Sequence, residues 1–180
     1  CITWEVIMDG VGIISASFAL QSLRNSGYKS TALAVAELVD NSIDAGATNV
    51  DVINLSEEEI NQGNRQSYQK VKSIGILDNG SGMDLNTLHR CLSLGWGTKL
   101  GEESGLGKYG FGLKGASLAT CKKVSVYTWQ KTDQVFKVHI DLDEIKEKSL
   151  TNIDDPVTAK IPEQIQVEFG GKIKSSGTLV

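Results

Sequence analysis

Apolar residues recur at helical spacing between residues 11 and 24, where Ile14, Phe18, Leu20 and Leu23 fall on one side before Asn25-Ser26-Gly27 breaks the pattern. The same period returns from Leu33 to Ala45, with Ser30 or Thr31 as a helix N-cap and Gly46 as the stop. Here Val35, Leu38, Val39 and Ile43 form the arc expected to face a core. Alternation then takes over: Asn49 to Leu55 predicts a strand, and Lys72 to Leu77 a second short one. Between them, residues 56 to 70 are polar and predict a loop or short insertion around Gly63-Asn64. Leu85 to Leu94 has helical spacing, with Leu85, Leu88 and Leu92 on one side. Gly95 to Gly107 is rich in glycine and predicts a mobile loop or lid. Tyr109 to Thr120 predicts a helix entered through glycines. Lys123 to Gln130 and Gln134 to Leu142 alternate around Lys131-Thr132-Asp133, the pattern of a hairpin. Residues 143 to 163 are polar and irregular, and Gln164 to Phe169 and Gly177 to Val180 predict two more strands. Helix, strand, strand, helix, lid, helix and then mostly strands is neither an alternating α/β order nor an all-β one. It predicts an α+β fold: a two-layer sandwich with helices on one face of a mixed, mostly antiparallel sheet.

Composition narrows the function classes. At 180 residues the chain is expected to be a single domain with a core of its own, and its 40% hydrophobic and 22% charged residues are those of a soluble globular protein. No apolar run approaches the roughly 20 residues that span a bilayer. Cys1, Cys91 and Cys121 are too few and too scattered for a disulfide framework or a zinc site, which fits a reducing cytoplasm. His89 and His139 lack a carboxylate or cysteine at ligand spacing and read as structural or surface residues. With a net charge of −4 and no basic cluster, strong nucleic-acid binding by this domain alone is not expected. The first residue is Cys1 rather than methionine, and the sequence is expected to be a fragment of a longer chain.

Three stretches carry candidate chemistry. Glu37, Asn41 and Asp44 stack on one face of the Leu33 to Ala45 helix, a stretch with no basic residue, as in a site that awaits a cation. Taken alone it reads as a surface helix with acidic decoration. Asp78-Asn79-Gly80-Ser81-Gly82 follows a strand, where an aspartate can accept from an amino group and glycines let a flat ring approach the backbone. Taken alone it is a tight turn. From Gly105 to Gly115, five glycines in eleven residues lead into a helix and offer backbone N–H groups to an anion, with Lys108 and Lys114 as charge. GxxxxGK[ST] is absent, and no strand–glycine–helix unit precedes a ribose acid as in a dinucleotide fold. A plain flexible linker would not interleave Tyr109, Phe111 and Leu113.

In order and separation, the three resemble the motifs of the GHKL superfamily of ATPases: gyrase B, heat-shock chaperones, histidine kinases and MutL, with the MORC proteins close by. Glu37-Leu38-Val39-Asp40-Asn41-Ser42-Ile43-Asp44-Ala45 looks like the first motif, Asp78-Asn79-Gly80-Ser81-Gly82-Met83 the second and Gly107-Lys108-Tyr109-Gly110-Phe111-Gly112 the third. Gly177-Thr178 resembles the short fourth, so the resemblance spans roughly residues 15 to 180. It implies a Bergerat-type sandwich that binds ATP with Mg²⁺. Glu37 would be the catalytic base, Asn41 would give its amide oxygen to Mg²⁺, Asp44 would hold the polar network, and Asp78 would accept from the adenine amino group. Gly107, Gly110 and Gly112 would form the lid hinge, and Thr178 would back the adenine. Gly80, Gly82, Met83, Thr98, Lys99, Lys108, Tyr109, Phe111, Leu113 and Lys114 complete the implied nucleotide site.

The resemblance further implies a lid-gated conformational switch with an ATP-dependent homodimer, its partner domain or protein undefined. A lysine that MutL-like and gyrase-like members supply from a second domain is not among these residues, so hydrolysis is expected to be slow. Histidine kinases lack the hydrolytic glutamate, so Glu37 favours hydrolysis. Two alternatives stay open: a kinase-type catalytic domain acting on a partner histidine, and a nucleotide-binding module without turnover.

Overall fold

The computed structural model describes residues 15–26, 30–61, 63, 65–93 and 112–180. Helices α1 (Ala16–Ser26) and α2 (Thr31–Asp44) precede a long hairpin of β1 (Val50–Ile60) and β2 (Ser67–Asp78). Then come α3 (Leu85–Cys91), α4 (Gly112–Thr120), β3 (Lys123–Trp129), β4 (Phe136–Asp141) and α5 (Leu142–Lys148). The two-residue β5 (Val157–Thr158), α6 (Glu163–Phe169), a 3₁₀ turn (Gly170–Lys172) and β6 (Gly177–Leu179) follow. Six strands form one sheet in the order β1-β2-β6-β3-β4-β5. Among the described residues every pairing is antiparallel, where a mixed sheet was expected. The late strand β6 inserts between β2 and β3, setting Thr178 opposite both Asp78 and Thr128. An α+β sandwich is the result.

Alternation along β3 builds two cores. Val124 and Val126 point to the face where Leu20 of α1, Leu88 of α3, Leu118 of α4 and Ile145 of α5 pack. Trp129, with Leu77, Leu179 and Ile53, points to the other face, where Ile165 of α6 closes a smaller core. The sheet is therefore apolar on both faces, and among the described residues α6 is the helix that packs on the second.

Capping and small residues place α2. The Ser30 hydroxyl accepts from Leu33 N at 3.3 Å, and Gly46, at φ +77°, turns the chain out of the helix. Its inward stripe is Ala34, Leu38 and Ser42, spaced by four residues, with Ala34 and Ser42 buried. Small side chains let α2 sit close against α4 and β2. The expected apolar arc is thus rotated: Val35, Leu38 and Val39 are half-buried, while Ile43 is 58% exposed.

Three other expectations change. Residues 56–60 and 67–70 are not a loop; they prolong β1 and β2 as a paired ribbon, past a bulge between Leu55 and Ser56. Both ribbon faces meet water, so no apolar alternation marks them. Instead Lys72, Tyr68 and Lys70 converge on Glu59, holding its carboxyl down at about 2. Gln164 to Phe169 belongs to a helix: Ile165 and Phe169, four apart, pack on the second core, whereas Val167 between them is 78% exposed. Its I-x-V-x-F spelling fits either period, and only burial distinguishes them. The stretch read as irregular opens instead within α5, which Asp141 caps by accepting from Asp143 N and Glu144 N. The two histidines sit beside carboxylates, His89 Nε2 3.6 Å from Asp155 and His139 Nε2 3.6 Å from Glu144. Among the described residues no helix is long and apolar enough to cross a membrane.

Candidate nucleotide site

The site is built around the last residue of β2. Asp78 is only 7% exposed, and its carboxylate is surrounded by donors from three elements. Oδ1 accepts from Gly80 N at 2.9 Å and from Thr178 N at 3.1 Å, while Oδ2 accepts from Ser42 Oγ at 3.0 Å. Burial is the dominant influence and pushes the carboxyl above the ordinary aspartate range; the Gly80 N–H, the Ser42 hydroxyl and the Thr178 N–H pull it back in part. A carboxylate offers about four lone-pair sites. Three are used, and the one left is an acceptor on Oδ2.

The turn after Asp78 is held as firmly. Asn79 Oδ1 accepts from Thr48 N at 2.9 Å and Asn49 N at 2.8 Å, and its Nδ2 donates to Thr48 Oγ1 at 2.9 Å, tying the end of α2 and the start of β1 to the site. Ser81 N donates to Ala45 O at 3.0 Å. A Cβ on Gly80 would come within 3.1 Å of Ala45 Cβ. Gly82 has φ +67°, and a side chain there would run into the Trp129 carbonyl. Met83 follows, half-buried against the larger core, its N–H donated to Thr128 Oγ1 at 2.8 Å.

The fold therefore brings together Asp78, Gly80, Gly82, Met83 and Thr178, which the sequence places as far as 100 residues apart. Glu37, Asn41 and Asp44 lie on α2 beside Ser42, with Glu37 half-buried and the other two exposed. Among the described residues, neither Glu37 nor Asn41 makes a side-chain hydrogen bond. Gly112 opens α4 and Leu113 packs on the larger core. Of Lys114, only its place in α4 is described. Thr98, Lys99, Gly107, Lys108, Tyr109, Gly110 and Phe111, with the expected lid, lie outside the described residues. Sequence reasoning missed Ser42, Asn79 and Thr128 as working side chains. Ser42 and Asn79 stood inside the quoted motifs, whereas Thr128, in an ordinary strand, carried no signal. A separate cleft of about 760 Å³, lined by Leu20, His89, Arg90 and Leu150 among others, contains none of the site residues.

The result is a buried, donor-ringed carboxylate at a strand end, beside a glycine turn and an acidic helix face, with an acceptor position left for a further N–H donor. Residues 28–171 match the family described as histidine kinase-, DNA gyrase B-, and HSP90-like ATPases, and the chain belongs to that GHKL family. It is 32% identical to Protein MICRORCHIDIA 7 of Arabidopsis thaliana over 125 residues, 69% of this chain and 17% of that protein. It is 35% identical to ATPase MORC2B of Mus musculus over 96 residues, 53% of this chain and 9% of the other. Identity is 35% to the DNA mismatch repair protein MutL of Shewanella woodyi over 119 residues, 66% of this chain and 17% of the other. The aligned part is thus less than a fifth of each relative's length. A crystal structure of the N-terminal domain of a DNA repair protein superposes with a TM-score of 0.53 at 20% identity, over 89% of this chain and 38% of that one, and shares the fold. Family membership supports ATP binding.

Proposed function

We propose that this domain binds ATP with Mg²⁺, hydrolyses it slowly, and uses the bound and cleaved states as a lid-gated conformational and dimerisation switch. The observation that carries the reading is Asp78. A carboxylate with one free acceptor position, buried among donors, suits the amino group of adenine, whereas guanine presents a carbonyl there and would meet it acceptor to acceptor. Thr178, 8% exposed and next to Asp78 across the sheet, would back the same ring. Glycines at 80 and 82 keep side chains out of the space beside the turn.

On α2, Asn41 stands one turn from Glu37 and has the amide oxygen that suits a hard divalent cation. Among the described residues no cluster of three or more His, Cys, Asp or Glu competes for a metal. Asn41 would hold Mg²⁺, which would supply positive charge to offset that of the phosphates. Glu37 would take the proton of the attacking water as its oxygen bonds to the γ-phosphorus and the bond to the β-phosphate oxygen breaks, leaving ADP and inorganic phosphate. Lid residues 95–107 and the third-motif glycines would close over the phosphates, and the closed state would pair two copies.

Calorimetry with ATP and GTP, with and without Mg²⁺, followed by phosphate release from the purified chain, tests this. The expected result is Mg²⁺-dependent ATP binding, slow release, and no comparable GTP binding. Equal affinity for GTP would remove the adenine assignment, and sedimentation that is unchanged by a non-hydrolysable ATP analogue would remove the dimerisation step.

A further inference from the structure

We infer that Thr128, which lines no part of the nucleotide site, is the positioning residue that sets the geometry of its base end. The inference rests on the ATP-binding reading above. Thr128 lies in β3 on the side of Val124 and Val126, where apolar residues cover the larger core, and it is fully buried at 0% exposure. Valine would have the same shape there without a hydroxyl to desolvate, which is costly unless the hydroxyl is bonded. This one is bonded on every side. Its single hydrogen goes to the Gly177 carbonyl at 3.1 Å. One lone pair takes the Met83 N–H at 2.8 Å, and the other faces Thr178 Oγ1 at 3.4 Å.

Each of those partners belongs to a segment that supplies the base end. Met83 ends the glycine turn that begins at Asp78, and Gly177 and Thr178 form the strand whose N–H reaches Asp78 Oδ1. One hydroxyl therefore ties the turn to β6. With its hydrogen engaged by Gly177, Thr128 can only accept from Thr178, so a hydrogen bond between the two hydroxyls requires Thr178 as the donor. Thr128 in this way sets both where Thr178 stands and how its hydroxyl is oriented, without contact with the nucleotide. Replacing it by valine would leave the Met83 N–H and the Gly177 carbonyl buried without this partner.

The test compares Thr128→Val, Thr128→Ser and Val138→Ala, the last a core change of comparable cost to folding and away from the site. Melting temperature and ATP affinity by calorimetry are measured for each. Thr128→Val should bind ATP about ten-fold or more weakly than the wild type. Thr128→Ser should restore most of that affinity, and Val138→Ala should bind normally despite its lower melting temperature. Wild-type affinity in Thr128→Val, or affinity in Thr128→Ser as poor as in Thr128→Val, would overturn the inference. A second measurement holds even if the valine variant does not fold. The Met83 amide should already be strongly protected from hydrogen exchange without nucleotide in the wild type and in Thr128→Ser. Rapid exchange of that amide in either would overturn the inference. If the wild type bound no ATP at all, the functional reading would fall on its own, and the Met83 amide would still decide whether Thr128 fixes the turn.

Discussion

The two ends of the candidate site are built on opposite principles. At the proposed base end, Asp78 and Thr178, with Thr128 behind them, lie on three adjacent strands, buried and joined by hydrogen bonds. At the proposed phosphate end, Glu37, Asn41 and Asp44 stand on the more open flank of one helix. At the first of these, burial pushes the Asp78 carboxyl above its ordinary range. The contrast is physical. A flat base is recognised by a few directional contacts, which gain from being fixed beforehand. Phosphates and a metal bring their own charge, and the groups that meet them need room and water until the site closes.

The comparison is broken most sharply on α2. Glu37→Ala should lower phosphate release by roughly 10²–10⁴-fold while ATP still binds and the melting temperature stays put. Asn41→Ala should lose Mg²⁺-dependent affinity and turnover together. Full hydrolysis by Glu37→Ala would move the base elsewhere, with Asp40 next to test.

At the base end the same kind of change should cost the fold itself. Gly82→Ala combines a left-handed backbone with a collision against the Trp129 carbonyl, and should destabilise by about 1–3 kcal/mol or more, read in a thermal melt. Gly170→Ala, where a Cβ meets nothing within 4 Å, should leave the melt nearly unchanged. Equal effects at both glycines would mean that the turn is not held as described.

Asp78→Asn separates affinity from stability. The amide oxygen can still accept from Gly80 N and Thr178 N, and the Ser42 hydroxyl can turn fully to Leu38 O, 3.2 Å away. Its NH₂, however, would face the adenine amino group donor to donor. ATP affinity should fall by at least about ten-fold, with the melting temperature unchanged or raised. A strongly lowered melting temperature would show Asp78 to be chiefly structural.

The smallest effect expected is with pH. Because the folded state raises the Asp78 pKa, this group favours folding fully below its unfolded value, and that contribution is lost as pH rises through the folded one. ATP needs the ionised acceptor, so the opposite sign holds for binding. Affinity should weaken as pH falls through a window above the ordinary aspartate value, and the effect should vanish in Asp78→Asn. Calorimetry across the acidic range checks this, and an identical pH profile in both proteins would assign the titration to another group.

Local chemistry explains what could be read from the chain alone. The acidic face of α2, the DNGSG turn and the short GT pair are contiguous motifs, and their order and spacing identify the family without any knowledge of contacts. Helix α2 with its cap, the β3–β4 hairpin and the α+β class follow from periods of 3.6 and 2 that neighbouring residues reveal. Other features needed the third dimension. The ribbon beyond Leu55 has no apolar period because both its faces are solvated, and it is held by a backbone ladder and by charges converging on Glu59. Helix α6 has a spelling that fits strand and helix alike, and only burial of Ile165 and Phe169 with Val167 outward decides for the helix. Ile43 points to water because the small residues Ala34 and Ser42, not the larger aliphatics, are what allow α2 to approach the sheet. Thr128 is the clearest case. Nothing adjacent to it in sequence hints at a role, since Met83 and Gly177 are 45 and 49 residues away, and it gains its partners only when β6 inserts between β2 and β3. A hydroxyl's worth depends on which donors and acceptors the fold brings within about 3 Å of it, and that is a property of topology rather than of spelling.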